Sequence, residues 1–236
     1  MEARDVTEVI GSLADLRPGD LMFSTIGGFI PGVFPVKVGM RMLGESMRIG
    51  RRSFDHVGIV VQERQPELAD IGHGHTFTGA ILPPRLVQAM PGGAEEITLT
   101  AATHWTDTVS YVRLPEDYPG QGADAAAIAR LFVSEGVRYS FLSYGALALW
   151  RWGFKAERLA RWIARTQSPR RAYEHPDFLL ELPVEAICSV LVDQCWTLAG
   201  KQVVTGTRPQ IVTPGMLAMQ VWNRPGVVRG GDGVLG

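Results

Sequence analysis

Cysteine is nearly absent from this chain: 236 residues hold only Cys188 and Cys195. The two lie in a segment of helical spacing and, seven positions apart, would stand about 10 Å from one another along a helix axis. A disulfide needs Cα atoms within about 7 Å. A disulfide scaffold is therefore excluded, and two free thiols suit the cytoplasm. Charge of one sign is also lacking. With 23 Lys and Arg against 24 Asp and Glu the net charge is -1, so there is no broad polyanion-binding field and nucleic acid is not an expected partner. No run reaches the ~18 to 20 apolar residues of a spanning helix. The longest weakly charged stretch, Leu21–Val36, is interrupted by Pro31, Pro35 and several glycines. The opening "MEARDVTEVI" carries acids and no apolar core of a secretory signal, which predicts synthesis in the cytoplasm. Gly27 and Gly28 have neither the lysine nor the helix context of a phosphate-binding loop. Histidine is sparse. His73 and His75 in "HGH", with Asp70, make at most a fragment of a metal site, and a polar surface loop is the plainer reading; no metal or cofactor is expected. His104 and His175 sit among turn residues without an obvious partner.

What is present suffices for a sizeable core. Apolar residues make up 46% and charged residues 20%, ordinary for a globular chain, and the length fits a single domain over residues 1–236. Helical spacing covers Val6–Leu16, ending at the turn signal "RPGD". Strands are predicted at Asp20–Ser24, Phe54–Gln62, Arg85–Ala89, Glu95–Thr100 and Val109–Leu114, with "MPGG" as the turn between the third and fourth. Gln65–Thr78 reads as a polar excursion. The stretch "GADAAAIARLFVSEG" is a helix, with Ile128, Leu131, Phe132 and Glu135 on one face and Gly136 placed to stop it. Tyr144–Arg165 is a second helical run, and Ile187–Ala199 a third, with Gly200 after its end. Segments at about 25–52 and 144–186 are longer than connections need, and the Gly-rich tail 225–236 is expected to fray. Strands and helices without strict alternation predict an α+β fold with a mainly antiparallel sheet.

Two stretches carry chemistry. In "SFDHVGIVV" a titratable ring, His56, opens an apolar β-branched run. In "AICSVLVDQCWTLAG" Cys188 stands near a helix start, where unpaired N–H groups and the macrodipole favour a thiolate. Cysteines so placed fall from about 8.5 into the range ~3.5–7.5, above all beside histidine. Thiolate and imidazole together are the minimal machinery of nucleophilic acyl transfer. The plainer readings are a core histidine bonded to a carbonyl and a packing cysteine; for Cys195, on the apolar stripe in mid-helix, packing is the favoured reading. Asp55 neighbours His56 but should point to the opposite strand face, and Asp193 is turned round the helix away from the thiol. Gln88 in "LVQAM" lies on the strand expected beside His56. Its oxygen is placed to accept Nδ1–H and leave Nε2 facing the sulfur; a solvent-facing strand polar is the alternative.

These blocks resemble the papain-like NlpC-type hydrolases in circularly permuted form. Ordinary members run from a tyrosine motif through a "CSxLV" helix, "LxPGDLVFF" and "HVGIY" to a short strand. Here "LRPGDLMF", "DHVGIVV" and "LVQA" come first, followed by "GVRYSFLSYGAL", "ICSVLVDQCWTLAG" and "IVTPGMLA", spanning Leu16 to Ala218. The resemblance implies a central, mainly antiparallel sheet with the nucleophile helix packed against it, and a cysteine hydrolase of the peptidase or amidase kind. It makes Cys188 the nucleophile, His56 the general base and Gln88 the polar third member. Tyr139 matches the family tyrosine near the oxyanion. Relatives often carry His or Glu where Gln88 stands. His56 is expected on the sheet face that meets the Cys188 helix, with Gly58 leaving room for that approach. The implied substrates are a peptide, a peptidoglycan fragment such as a cell-wall stem peptide, or an N-acyl conjugate. Lecithin–retinol-acyltransferase-like relatives, which share the order His then Cys, act instead on acyl lipids. A third reading is a non-catalytic binding or structural module, associated with a virion or secretion apparatus that could also deliver it.

The segment 147–171 interleaves Arg151, Lys155, Arg158, Arg161, Arg165, Arg170 and Arg171 with Trp150, Trp152, Phe154, Leu159, Trp162 and Ile163. It offers peripheral contact with an anionic membrane. A helical cap whose arginines snorkel into water is the plainer reading.

Overall fold

Short apolar strands covered on both faces build the centre of the molecule. In the computed structural model the described residues are 10, 12–26, 47–49, 52–63, 65–71, 74–104, 106–139, 172–175, 178–181, 185–205, 212–222 and 224–231. Six strands form one sheet: β1 (Leu21–Ile26), β2 (His56–Gln62), β3 (Arg85–Met90), β4 (Gly93–Thr98), β5 (Thr106–Arg113) and β6 (Val228–Gly231), in the spatial order β6-β5-β1-β2-β3-β4. Every pairing within it is antiparallel. Among the described residues four α-helices accompany it: α1 (Leu99–Thr103), α2 (Gln121–Ser134), α3 (Cys188–Leu198) and α4 (Pro214–Trp222). The fold is thus α+β around a mainly antiparallel sheet.

Both faces of the sheet are covered, which is why β2 is buried along nearly its whole length instead of alternating in and out of water. On one face Leu21, Phe23, Val57, Ile59, Val61, Val87 and Ala89 pack with Ala125, Ala129 and Phe132 of α2, Leu191, Val192 and Cys195 of α3, and Leu217 and Val221 of α4. On the other face Met22, Val60, Leu86, Val109 and Tyr111 pack with Ile10, Leu16 and the α1 residues Leu99 and Ala102. Phe132 is fully enclosed, and truncating such a ring to alanine costs about 3–5 kcal/mol.

The "RPGD" turn is fixed by close packing. Gly19 has φ 93°, and a Cβ there would lie 2.4 Å from Gly122 Cα at the start of α2, so only glycine fits. Asp20 follows, 1% exposed. Burial raises its pKa, and the Arg113 guanidinium, at 2.8 Å, counters this. A buried carboxylate without that partner would be strongly destabilising, so Asp20 is structural.

Several expectations are corrected. Of the helix expected over Val6–Leu16, residues 6–9 and 11 lie outside the described residues; in the rest, Leu13–Asp15 form one 3-10 turn capped by Ser12, whose side chain accepts from Ala14 N–H while Asp15 reaches back to the Ser12 amide; Leu16 is already extended. The polar excursion after Gln62 is an antiparallel hairpin, Gln65–Ile71 with Gly74–Leu82. The tail expected to fray supplies β6, the sheet edge, through Val228–Gly231. Helices α1 and α4 were not anticipated. The 14-residue α2 matches its pattern, with Gly136 at φ 63° just beyond its end. The helical run Tyr144–Arg165, the basic-aromatic segment 147–171 and most of 25–52 lie outside the described residues. So does His73, and of Asp70 and His75 only the backbone is described. Among the described residues no helix is long and apolar enough to cross a membrane.

Candidate active site

Helix α3 begins without a side-chain cap. Its N-cap is Ile187, extended at φ -95° and ψ 165°, and its first residue is Cys188. The leading N–H groups are left free of a cap, and the cysteine uses them. The backbone N–H groups of Val57, Ser189 and Cys188 itself lie near enough to its sulfur to favour a negative charge there. The Ser189 hydroxyl is turned elsewhere and donates to the Val212 carbonyl at 2.6 Å. The Val57 amide belongs to the peptide that joins Val57 to His56, so the thiol and the imidazole flank a single peptide unit at the start of β2.

The other residues gather around that point. His56 Nε2 and Gln88 Oε1 are 2.8 Å apart. Gln88 and Gly58 are register partners. Gln88 Nε2 in turn donates to Glu95 Oε1 at 2.8 Å across the β3–β4 hairpin. These bonds determine the tautomer. A carboxylate only accepts, so the Gln88 amino group faces Glu95 and its oxygen faces the ring. The ring must then carry its proton on Nε2, leaving Nδ1 as the unprotonated nitrogen. The sequence-based expectation had these nitrogens reversed. Tyr139 is buried and pairs in parallel with Ala186, two residues before the nucleophile.

Three further expectations change. Gln88 is no solvent-facing strand polar, being 1% exposed. His56 does not sit on the face that meets α3: Val57 and Ile59 do, and strict alternation sends His56, Gly58 and Val60 to the opposite face. The sulfur meets β2 at the Val57 amide, at the strand's start. Gly58 makes room within the sheet, since a Cβ there would meet Leu86 Cδ1 at 2.7 Å and Val87 O at 3.1 Å, both on β3.

The electrostatics also depart from an activated thiolate. Burial pushes the Cys188 thiol up to about 12, and the Asp55 carboxylate adds to that, while the three backbone amides hold it down in part. Burial lowers His56 to about 4, against the Gln88 bond that raises it. Both groups are therefore neutral at pH 7. The helix terminus and amides are present as expected, but desolvation of a charge with no solvent around it outweighs them. Cys195 is raised well above the ordinary thiol value by burial, with only its own amide opposing. Both cysteines are free thiols. Asp193 accepts from Val204 N–H at 2.9 Å and organises the loop after α3.

Two residues escaped the sequence reading. Glu95 was seen only as the start of a strand; the signal was its place directly across a tight hairpin from Gln88. Ser24, register partner of His56, is completely buried with no bonding partner for its hydroxyl among the described residues. No cluster of metal-binding side chains occurs among the described residues. Compared with protein families, curated proteins and solved structures, the chain matches none.

Proposed function

We propose that the protein is a thiol-dependent hydrolase of amide bonds, built on a permuted papain-like NlpC-type fold. The observation that carries this reading is the alignment at the head of β2: Gln88 holds His56 Nε2 at 2.8 Å, and the Cys188 sulfur rests on the amide of the adjoining peptide. A thiol at an uncapped helix start next to the peptide that carries a tautomer-fixed imidazole supplies the parts that acyl transfer requires.

The chemistry starts from a neutral pair. As the sulfur attacks a substrate carbonyl carbon, His56 Nδ1 takes the thiol proton. The C=O π pair moves onto oxygen, and the oxyanion is met by the Cys188 N–H and the Tyr139 hydroxyl. Collapse expels the amine, which takes the proton from His56. Water then attacks the thioester with His56 again as base, releasing the acid and restoring the thiol. Peptides, cell-wall stem peptides and N-acyl conjugates are the substrate class; acyl lipids are the alternative for the same residues.

A second reading has its own support. Cys188 is 2% and His56 5% exposed, and both favour their neutral forms, as suits a binding or structural module that does not turn over substrate. One experiment separates the two: incubation with muropeptides and with short-chain acyl esters. Turnover lost in Cys188→Ala supports the hydrolase and names its bond type. No turnover of either class, with retained ligand binding, leaves the module.

A further inference from the structure

We propose that Glu95 is a positioning residue that sets the proton on His56 by locking the orientation of the Gln88 amide. For catalysis this rests on the hydrolase reading; as a statement about the ring it stands on the bonds alone. A glutamine beside an imidazole is ambiguous, because its oxygen and amino group are nearly the same shape. With the oxygen toward the ring, Nε2 carries the proton and Nδ1 is a base. With the amino group toward the ring, Nε2 must accept, the proton moves to Nδ1, and the nitrogen left for the thiol can no longer take a proton. Nothing within Gln88 chooses between these states.

Glu95 makes the choice. Its Oε1 accepts from Gln88 Nε2 at 2.8 Å, and Gln88 Oε1 stands 2.8 Å from His56 Nε2. Reversing the amide would set its oxygen against a carboxylate and its N–H against another N–H, two mismatches at once. The backbone holds the pair in register: Gln88 and Glu95 are direct partners in the β3–β4 hairpin. That hairpin closes at Gly93, φ 119°, and the Ala94 amide is tied to Val137 O at 2.8 Å. Gln88 is sealed from water, so no solvent molecule competes for its amide. A Glu third member, which only accepts, would need no such fourth group; a Gln does.

The test reads the ring directly. In protein labelled with 15N-histidine, the two ring nitrogens of His56 report which one is protonated. Wild type should show the proton on Nε2. Glu95→Gln, which keeps an oxygen for the Gln88 amino group, should preserve that pattern. Glu95→Lys presents only donors, turns the Gln88 oxygen toward itself and should shift the proton to Nδ1. On an active substrate, Glu95→Lys should lower kcat about 10- to 100-fold with KM unchanged, and Glu95→Gln should restore most of it. A wild-type ring protonated on Nδ1 overturns the proposal without any substitution. So does a folded Glu95→Lys protein with an unchanged ring spectrum. Should no amide or ester be turned over at all, the hydrolase reading fails while the ring spectrum still decides the role of Glu95.

Discussion

Cys188 and Cys195 lie two turns apart on one helix, both enclosed, and differ in what encloses them. Around Cys195 the neighbours are apolar side chains and the one amide is its own. Around Cys188 two further amides converge, one of them from the strand that bears His56. Burial pushes both thiols toward the neutral form. Enclosure thus fixes the direction of a shift, whereas donors decide how readily a negative sulfur could be sustained when an attack demands it.

Removing each sulfur in turn should give the largest contrast between the two cysteines. Cys188→Ala should lower turnover of the active substrate by about 10³-fold or more, while Cys195→Ala leaves it unchanged; equal losses would erase the distinction. Gln88→Leu comes next. Without its acceptor the ring loses tautomer control, and kcat should drop about 10²-fold with little change in KM. The steady-state pH profile should have an acid limb near pH 4, where His56 gains its proton; a limb near 6.5 would mean a solvated ring.

Stability gives a third measurement. The folded pKa of His56 lies below its unfolded value of 6.5, so on acidification the unfolded chain takes up the proton first. Its contribution is complete above pH 6.5 and is lost as pH falls toward 4, in total about 3 kcal/mol. Denaturant titrations of wild type and His56→Gln across that window should converge as pH drops; parallel curves would contradict it. The smallest effect is packing. Cys195→Ser buries a hydroxyl among apolar groups and should cost about 1–3 kcal/mol. Cys188→Ser, whose oxygen meets the same amides, should cost less in the same melts.

Much of the centre was readable because its signals are local. The stripe Ile128, Leu131, Phe132 and the stop at Gly136 suffice to define α2. "MPGG" defines the β3–β4 turn, and His56, Gln88 and Cys188 were named from their chemistry and placement. What was missed depends on tertiary partners. Residues 228–231 read as a fraying tail because three of the four have little side chain or mixed character, and only β5 makes them a strand. Gln65–Ile71 is polar enough to pass for a loop, yet Gly74–Leu82 pairs with it. The face occupied by His56 was misjudged because a sheet covered on both sides gives no polar alternation to read. The neutral state of the dyad depends on desolvation, which no short motif encodes.

Ile10 and Gly230 form a bridge at the edge of the sheet, so close that a Cβ on Gly230 would lie 2.2 Å from the Ile10 carbonyl oxygen. Two stretches at opposite extremes of the numbering are thereby neighbours in space. A short covalent splice between them, with a fresh opening cut at the Pro91–Gly92 turn, would leave all six strands in register.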